Sequence, residues 1–175
     1  MLGGGLALSG CGSTKTVRIN NGSMEPTFHV GAQIVFNTEK STPKVGQVVL
    51  FHPPQGASEK EYNPMCGPAP HPSPRGGGAA CSAPVATPAT EKFVKRIVAG
   101  PGDVISIREG HVTLNGHREP DSYTKPCGKS AECDFPTPIK IPPDHWFAMN
   151  DNRNESNDSR SWGPIPTSWI IGHLN

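Results

Sequence analysis

The stretch Phe93-Val-Lys-Arg-Ile-Val-Ala-Gly-Pro-Gly-Asp103 decides how this chain is read. Its first seven residues mix β-branched, aromatic and aliphatic side chains over a strand-like length. Gly100-Pro101-Gly102-Asp103 then stops the run with turn residues. Lys95 and Arg96 are its two charges, so a strand buried on one face is expected to hold a lysine among Phe93, Val94, Ile97 and Val98. The bland reading is a strand lysine in solvent, since most lysines are exposed.

The same pattern continues on both sides. Residues 104–107 and 111–114 read as a hairpin about Arg108-Glu109-Gly110, and Asn115-Gly116 is a further hairpin-turn dipeptide. Residues 17–19, 32–36 and 46–51 read as strands before the central run, and residues 139–141, 145–149 and 169–171 after it. Apart from a short turn at residues 167–169, no stretch has helical periodicity. The expected fold class is all-β, with neither an internal repeat nor a second domain.

At 175 residues the chain is one domain, or a core with a small lobe. A net charge of +1 gives no electrostatic footprint for nucleic acid, so that partner is disfavoured. Gly 20 and Pro 20 are in excess, and the excess is local: residues 52–90 hold nine prolines and five glycines. Such a tract lacks the apolar side chains that would offset its ordering entropy, so it reads as a solvated, partly disordered insert between two strands. Cys66 and Cys81 bracket part of it, and Cys127 and Cys133 flank a turn-forming Gly128-Lys129-Ser130. Four cysteines allow three connectivities, which the residues leave open. Zinc needs C-x-x-C or histidine ligands at fixed spacing, which do not occur. No phosphate loop, dinucleotide fingerprint or His-Glu-x-x-His occurs either, so no cofactor is expected.

Two further clusters carry chemistry. Asn-Gly-Ser-Met-Glu-Pro-Thr, residues 21–27, sets Ser23 on a turn stiffened by Pro26, and Asn-Asp-Asn-Arg-Asn-Glu-Ser-Asn-Asp-Ser-Arg, residues 150–160, concentrates hydroxyls, carboxylates and guanidiniums ahead of Trp162-Gly163-Pro164. Serine is a weak nucleophile without a base. Lys95 serves as one only when neutral, so burial must lower its pKa from about 10.4 by roughly two to three pH units. Alone, Ser23 would be read as a turn serine capping its own backbone.

In that order the three clusters resemble type I signal peptidases, the Ser-Lys proteases of the bacterial export pathway, from about Asn21 to Gly172. The resemblance implies a core of coiled antiparallel sheets with an extension lobe built around residues 112–138. It implies that Ser23 attacks the scissile carbonyl while Lys95 takes its proton, and that Ser156 hydrogen-bonds the lysine. Asp158, Ser159 and Arg160 match the family's Asp-Ser-Arg and are expected to form an ion-paired scaffold that Arg96 joins. The oxyanion needs fixed donors. The Ser23 N–H is one, and Asn21, where many members carry serine, is either the second or an Asx-turn former. Asn150 stands where the family usually has glycine. Ile19, Met24, Phe28, Phe93 and Val94 match pocket-forming positions, though each is also an ordinary core residue by type. The implied substrate is an extended preprotein signal peptide cut after Ala-x-Ala, laid beside Phe93-Val94-Lys95. A similar cysteine pair in some relatives implies a Cys127–Cys133 disulfide and an exported, oxidising location.

Against the family pattern, only 22 residues precede Ser23 and no run approaches a membrane span. Leu8-Ser9-Gly10-Cys11 looks like a lipobox, within a tail at residues 1–16 that otherwise reads as flexible and Gly-rich. The expected place is the extracytoplasmic face of a membrane, with lipid on Cys11 as the anchor and the membrane surface as a partner. Two other readings compete. Self-cleaving repressors share the Ser-Lys pair but need a DNA-binding domain, which 22 residues cannot hold. A non-catalytic surface lipoprotein retaining the fold is the alternative, and the intact Ser23, Lys95 and Ser156 argue against it.

Overall fold

The computed structural model describes residues 13–57, 65–66, 71–72, 78, 80–83, 86–128 and 133–175. Cys11 and the lipobox-like segment lie outside them, as does much of the Pro/Gly-rich insert. The strands are β1 (Thr14–Arg18), β2 (Gln33–Asn37), β3 (Val48–Phe51), β4 (Met65–Cys66), β5 (His71–Pro72), β6 (Phe93–Ala99), β7 (Val104–Arg108), β8 (His111–Leu114), β9 (His117–Arg118), β10 (Phe135–Lys140), β11 (His145–Met149), β12 (Ile165–Pro166) and β13 (Ile170–His173). One helical turn, α1 (Ser159–Trp162), and 3-10 turns at Gly22–Met24 and Thr167–Trp169 interrupt them. The all-β expectation holds, and β6 and β11 run over the expected residues.

The larger sheet is antiparallel, in the order β1-β2-β13-β3-β6-β11-β12. Its centre is buried on both faces. In β3, Val48 and Leu50 enter one core cluster with Ile19, Met24, Phe36 and Val94, while Val49 and Phe51 enter another with Ile97, Trp146 and Trp162. This is the two-residue alternation of a strand. A smaller sheet, β10-β7-β8-β9, forms the lobe, with Ile105, Ile107, Val112 and Phe135 in its core. The lobe therefore begins at Val104, earlier than the expected residue 112, because both strands of the 104–114 hairpin belong to it.

The insert also differs from a purely solvated loop. Pro53, Pro54, Ala57, Cys66, Ala80 and Cys81 are buried, and Cys66 is disulfide-bonded to Cys81 with Cα atoms 5.8 Å apart. The Cys81 N–H donates to Arg160 O at 3.1 Å. Gly163, at φ +90°, lies so close to the Ala83 backbone that a Cβ would come within 2.7 Å of it. A cross-link and a glycine-permitted close approach thus hold this segment against α1, where apolar side chains are too few to do so. In the lobe, Cys127 and Cys133 are paired with Cα atoms 6.0 Å apart.

Candidate active site

Ser23 sits in the Gly22–Met24 turn and is 8% exposed. Two bonds from Asn152 hold the turn: its N–H donates to Ser23 O at 3.0 Å and its Nδ2 to Gly22 O at 3.2 Å. A third tie comes from Asp151, whose Oδ2 accepts from Thr27 Oγ1 at 2.5 Å. The same carboxylate takes a bidentate grip from Arg96, Nε to Oδ1 at 2.8 Å and Nη2 to Oδ2 at 2.7 Å. Asp151 therefore fixes the serine loop to β6 one residue from Lys95.

Lys95 lies on the face of β6 that carries Phe93 and Ile97, opposite Val49 of β3, and is 4% exposed. Its Nζ donates to Val94 O at 3.3 Å and stands 4.7 Å from the centre of the Phe93 ring. Burial lowers its pKa from 10.5 to about 8, even though Asp158, Glu155 and Asp151 pull the other way. Strand periodicity is the cause: three consecutive same-face positions read Phe, Lys, Ile, so the ammonium is packed where an apolar side chain would normally go.

Both residues open on one cavity of about 460 Å³, which is lined by residues 17–21, residues 91–95 and Asn150, Glu155 and Asn157. Of the candidates, Ser23, Lys95, Asn21, Ile19, Met24, Phe93 and Val94 line it. Phe28 does not; it faces a separate cleft with Thr27 and Arg96. Ser156 lies between the lining residues Glu155 and Asn157, with its carbonyl accepting from Ser161 Oγ at 2.6 Å and from Asp158 N–H at 2.8 Å. The edge of β6 matters here as well. Among the described residues β11 pairs with Arg96, Ile97 and Ala99 only, leaving the cavity side of residues 93–95 without a strand partner.

Asp158, Ser159 and Arg160 are completely buried. Arg160 Nε reaches Asp158 Oδ1 at 2.9 Å and Nη2 reaches Oδ2 at 2.7 Å, while Ser159 Oγ accepts from Ala148 N–H at 2.9 Å. Arg160 also donates to the carbonyls of Arg153 and Glu155. Arg96 does not join this pair; its carboxylate is Asp151. The sequence reading missed Asp151, Asn152 and Arg153 as ties between elements. Their polar density was visible, but their hydrogen-bond partners on other elements, up to 130 residues away, were not.

One geometry bears on the two roles expected of Asn21, oxyanion donor and Asx-turn former. Its Oδ1 accepts from Ser23 N–H at 3.1 Å and its Nδ2 donates to Asn20 Oδ1 at 3.2 Å. In this state the amide caps the serine turn, and it occupies the backbone donor that was expected to meet an oxyanion.

Comparison with known proteins places this geometry in context. The family described as "Signal peptidase, peptidase S26" matches residues 6–175. The chain is 29% identical over 160 residues to a Synechocystis sp. protein named "Probable signal peptidase I-1", covering 89% of this chain and 66% of the relative. It is 27% identical over 154 residues to signal peptidase I of Leptolyngbya laminosa, covering 86% of this chain and 61% of the relative. The chain thus spans less than two thirds of the length of these curated relatives. A crystal structure of a signal peptidase I from Enterococcus faecalis aligns with 78% of this chain and 100% of that one, at 18% identity and a TM-score of 0.45.

Proposed function

We propose, because the chain belongs to the signal peptidase family, peptidase S26, that it is a serine endopeptidase removing signal peptides from exported preproteins, with Ser23 as nucleophile and Lys95 as general base. The observation that carries this reading is the burial of Lys95 in the cavity that also receives Ser23, with a pKa near 8. A base of that strength is partly neutral at physiological pH, and an ordinary lysine is not. Ser23 Oγ attacks the carbonyl carbon as its proton passes to Lys95 Nζ. The C–N bond then breaks, and the same proton goes to the leaving amine. A water deprotonated by Lys95 finally hydrolyses the acyl-serine. An extended peptide along the unpartnered side of residues 93–95 would add main-chain hydrogen bonds. Ile19, Met24, Phe93 and Val94 narrow the cavity beside it, which favours small side chains at the first and third positions before the cut.

The preproteins reside in a membrane, and we place the enzyme at its extracytoplasmic face. Among the described residues no helix is long and apolar enough to cross one. The test is cleavage of an Ala-x-Ala preprotein by purified variants. Ser23→Ala, Lys95→Ala and Lys95→Arg should each abolish it. The Ser23→Ala/Lys95→Ala double variant should be no worse than either single, since residues acting as a unit are non-additive. Guanidinium stays protonated at accessible pH, so Lys95→Arg retaining wild-type cleavage would overturn Lys95 as the base, whereas no cleavage by the unsubstituted protein would favour the non-catalytic alternative.

A further inference from the structure

The active-site cavity contains an acceptor that the dyad chemistry has not used. Asn150 is completely buried and lines the cavity with Ser23 and Lys95. Its other polar atoms are engaged: the backbone N–H with Asp158 Oδ2 at 3.0 Å, Nδ2 with Glu155 O at 2.8 Å, and the carbonyl with Arg153 Nε at 2.9 Å. Its Oδ1 is buried with no hydrogen-bond partner among the described residues. An orphaned amide oxygen of this kind costs about 1–3 kcal/mol, so a donor that reaches it in the working state offsets a real penalty.

The register of the sheet identifies that donor. β11 pairs antiparallel with β6, Ala148 opposite Ile97 and Met149 opposite Arg96. The pairing ends there, and Asn150 is the next residue of the chain; the same register continued by one residue would set it opposite Lys95. Directly opposed residues of an antiparallel pair project to the same face with Cβ atoms about 5 Å apart. A lysine ammonium has three donors, and Lys95 shows one long bond, to Val94 O. We propose that Asn150 is a positioning residue whose Oδ1 accepts a hydrogen bond from Lys95 Nζ when the lysine carries the proton taken from Ser23.

The surrounding charges leave that role to it. Asp158 and Arg160 are paired with each other, and Asp151 is held by Arg96 and Thr27. Glu155, whose charge also acts on Lys95, is exposed, and Arg18, Glu91 and Lys92 line the cavity as well. Val49 and Phe93, in contact with Lys95, carry no side-chain acceptor, and the competing acceptor is the Ser156 hydroxyl that the family resemblance implies. A bond made only to the charged lysine stabilises the state in which the proton has left the serine, and it raises the basicity of the lysine.

This inference rests on the Ser-Lys reading, and its test separates the two. Hydrogen bonds to charged groups are worth about 1.5–3 kcal/mol, so Asn150→Ala and Asn150→Gly should move the acid limb of the rate profile down by roughly one pH unit. Asn150→Asp, which sets a carboxylate in the cavity that the lysine lines, should move it up, with cleavage lost at neutral pH and recovered at alkaline pH. A titration of Lys95 by NMR on 15N-lysine-labelled protein, assigned with Lys95→Gln, should follow the same directions without any cleavage assay. An unmoved Lys95 titration in Asn150→Ala and Asn150→Asp overturns the proposal. So does a raised KM with an unmoved limb, which would assign Oδ1 to the substrate backbone. If Ser23→Ala still cleaves, the dyad reading fails, whatever the titration gives.

Discussion

The two faces of strand β6 treat neighbouring cations in opposite ways. Arg96 is saturated: it grips both oxygens of Asp151, donates to Gly46 O at 2.7 Å, and has the Tyr123 ring 4.1 Å from its guanidinium carbon. Lys95, one residue earlier, has an apolar face around it and, among the described residues, a single long bond to a carbonyl. A buried charge is tolerable when it is paired and hydrogen-bonded; otherwise the group moves its pKa toward neutrality. The pair on β6 is therefore a partition of labour. The satisfied cation builds the frame that joins the serine loop to the strand, and the unsatisfied one is left near 8, where it can exchange a proton.

The largest effect should come from breaking the satisfied side. Arg96→Met strands the Asp151 carboxylate, which is completely buried, and removing one partner of a buried pair typically costs 3–5 kcal/mol. Urea denaturation should give a loss of that order, and Arg96→Met/Asp151→Leu should recover much of it because no charge is then left alone. A loss below about 1 kcal/mol would mean that Arg96 is an ordinary surface pair, and the contrast with Lys95 would collapse.

The opposite sign is expected one residue away. The folded pKa of Lys95, about 8, lies below its ordinary 10.5. Between those values the unfolded chain binds more protons, so stability rises with pH across that window. At pH 7 the buried ammonium costs on the order of 3 kcal/mol. Lys95→Met should therefore be inactive yet more stable than the parent at pH 7, and the advantage should fade as pH climbs from about 8 toward 10.5. A Met variant that is less stable at pH 7, or equally favoured at pH 7 and pH 10, removes the cost assigned to the lysine. Activity should have its acid limb in the same region, rising through about pH 8.

Much of this was legible in the residues. Period-two alternation with glycine and proline punctuation gave β6, β11 and the 104–114 hairpin, because each is a local pattern that the sheet reinforces. Ser23 and Lys95 were picked out by residue type and neighbours. The ties between them were not, since Asp151 meets Arg96 and Thr27 only after the chain has returned across the sheet. The docked part of the insert was hidden for a related reason: a disulfide and a Gly163–Ala83 backbone contact do the holding, and neither leaves a hydrophobic period. Phe28 was assigned to the pocket by position in a motif; it packs on the cluster of Ile19, Met24 and Val94 and lines the neighbouring cleft. Asn150 looked incidental until the fold set its unpartnered oxygen in the cavity that Lys95 lines.

Asn21 tests whether the contrast between satisfied and unsatisfied groups extends to uncharged ones. Its amide is engaged at both polar atoms, oxygen on Ser23 N–H and nitrogen on Asn20, which by the rule drawn from β6 makes it frame rather than chemistry. Both Asn20 and Asn21 are exposed at the cavity, however, so the cap is easily released when a substrate carbonyl arrives. A swung amide would free the Ser23 N–H and turn Nδ2 into a second donor to the oxyanion. On that reading Asn21→Ala should lower turnover by on the order of 100-fold, close to 2.7 kcal/mol, with little change in Tm. Asn21→Asp separates the roles, because a carboxylate keeps the acceptor that caps the turn and lacks the donor. It should fall at least as far as alanine if the amide donates to the oxyanion. If Asn21 only caps, Asn21→Asp should behave like the parent, while Asn21→Ala loses about 0.5–2 kcal/mol of stability at near-normal turnover per folded molecule.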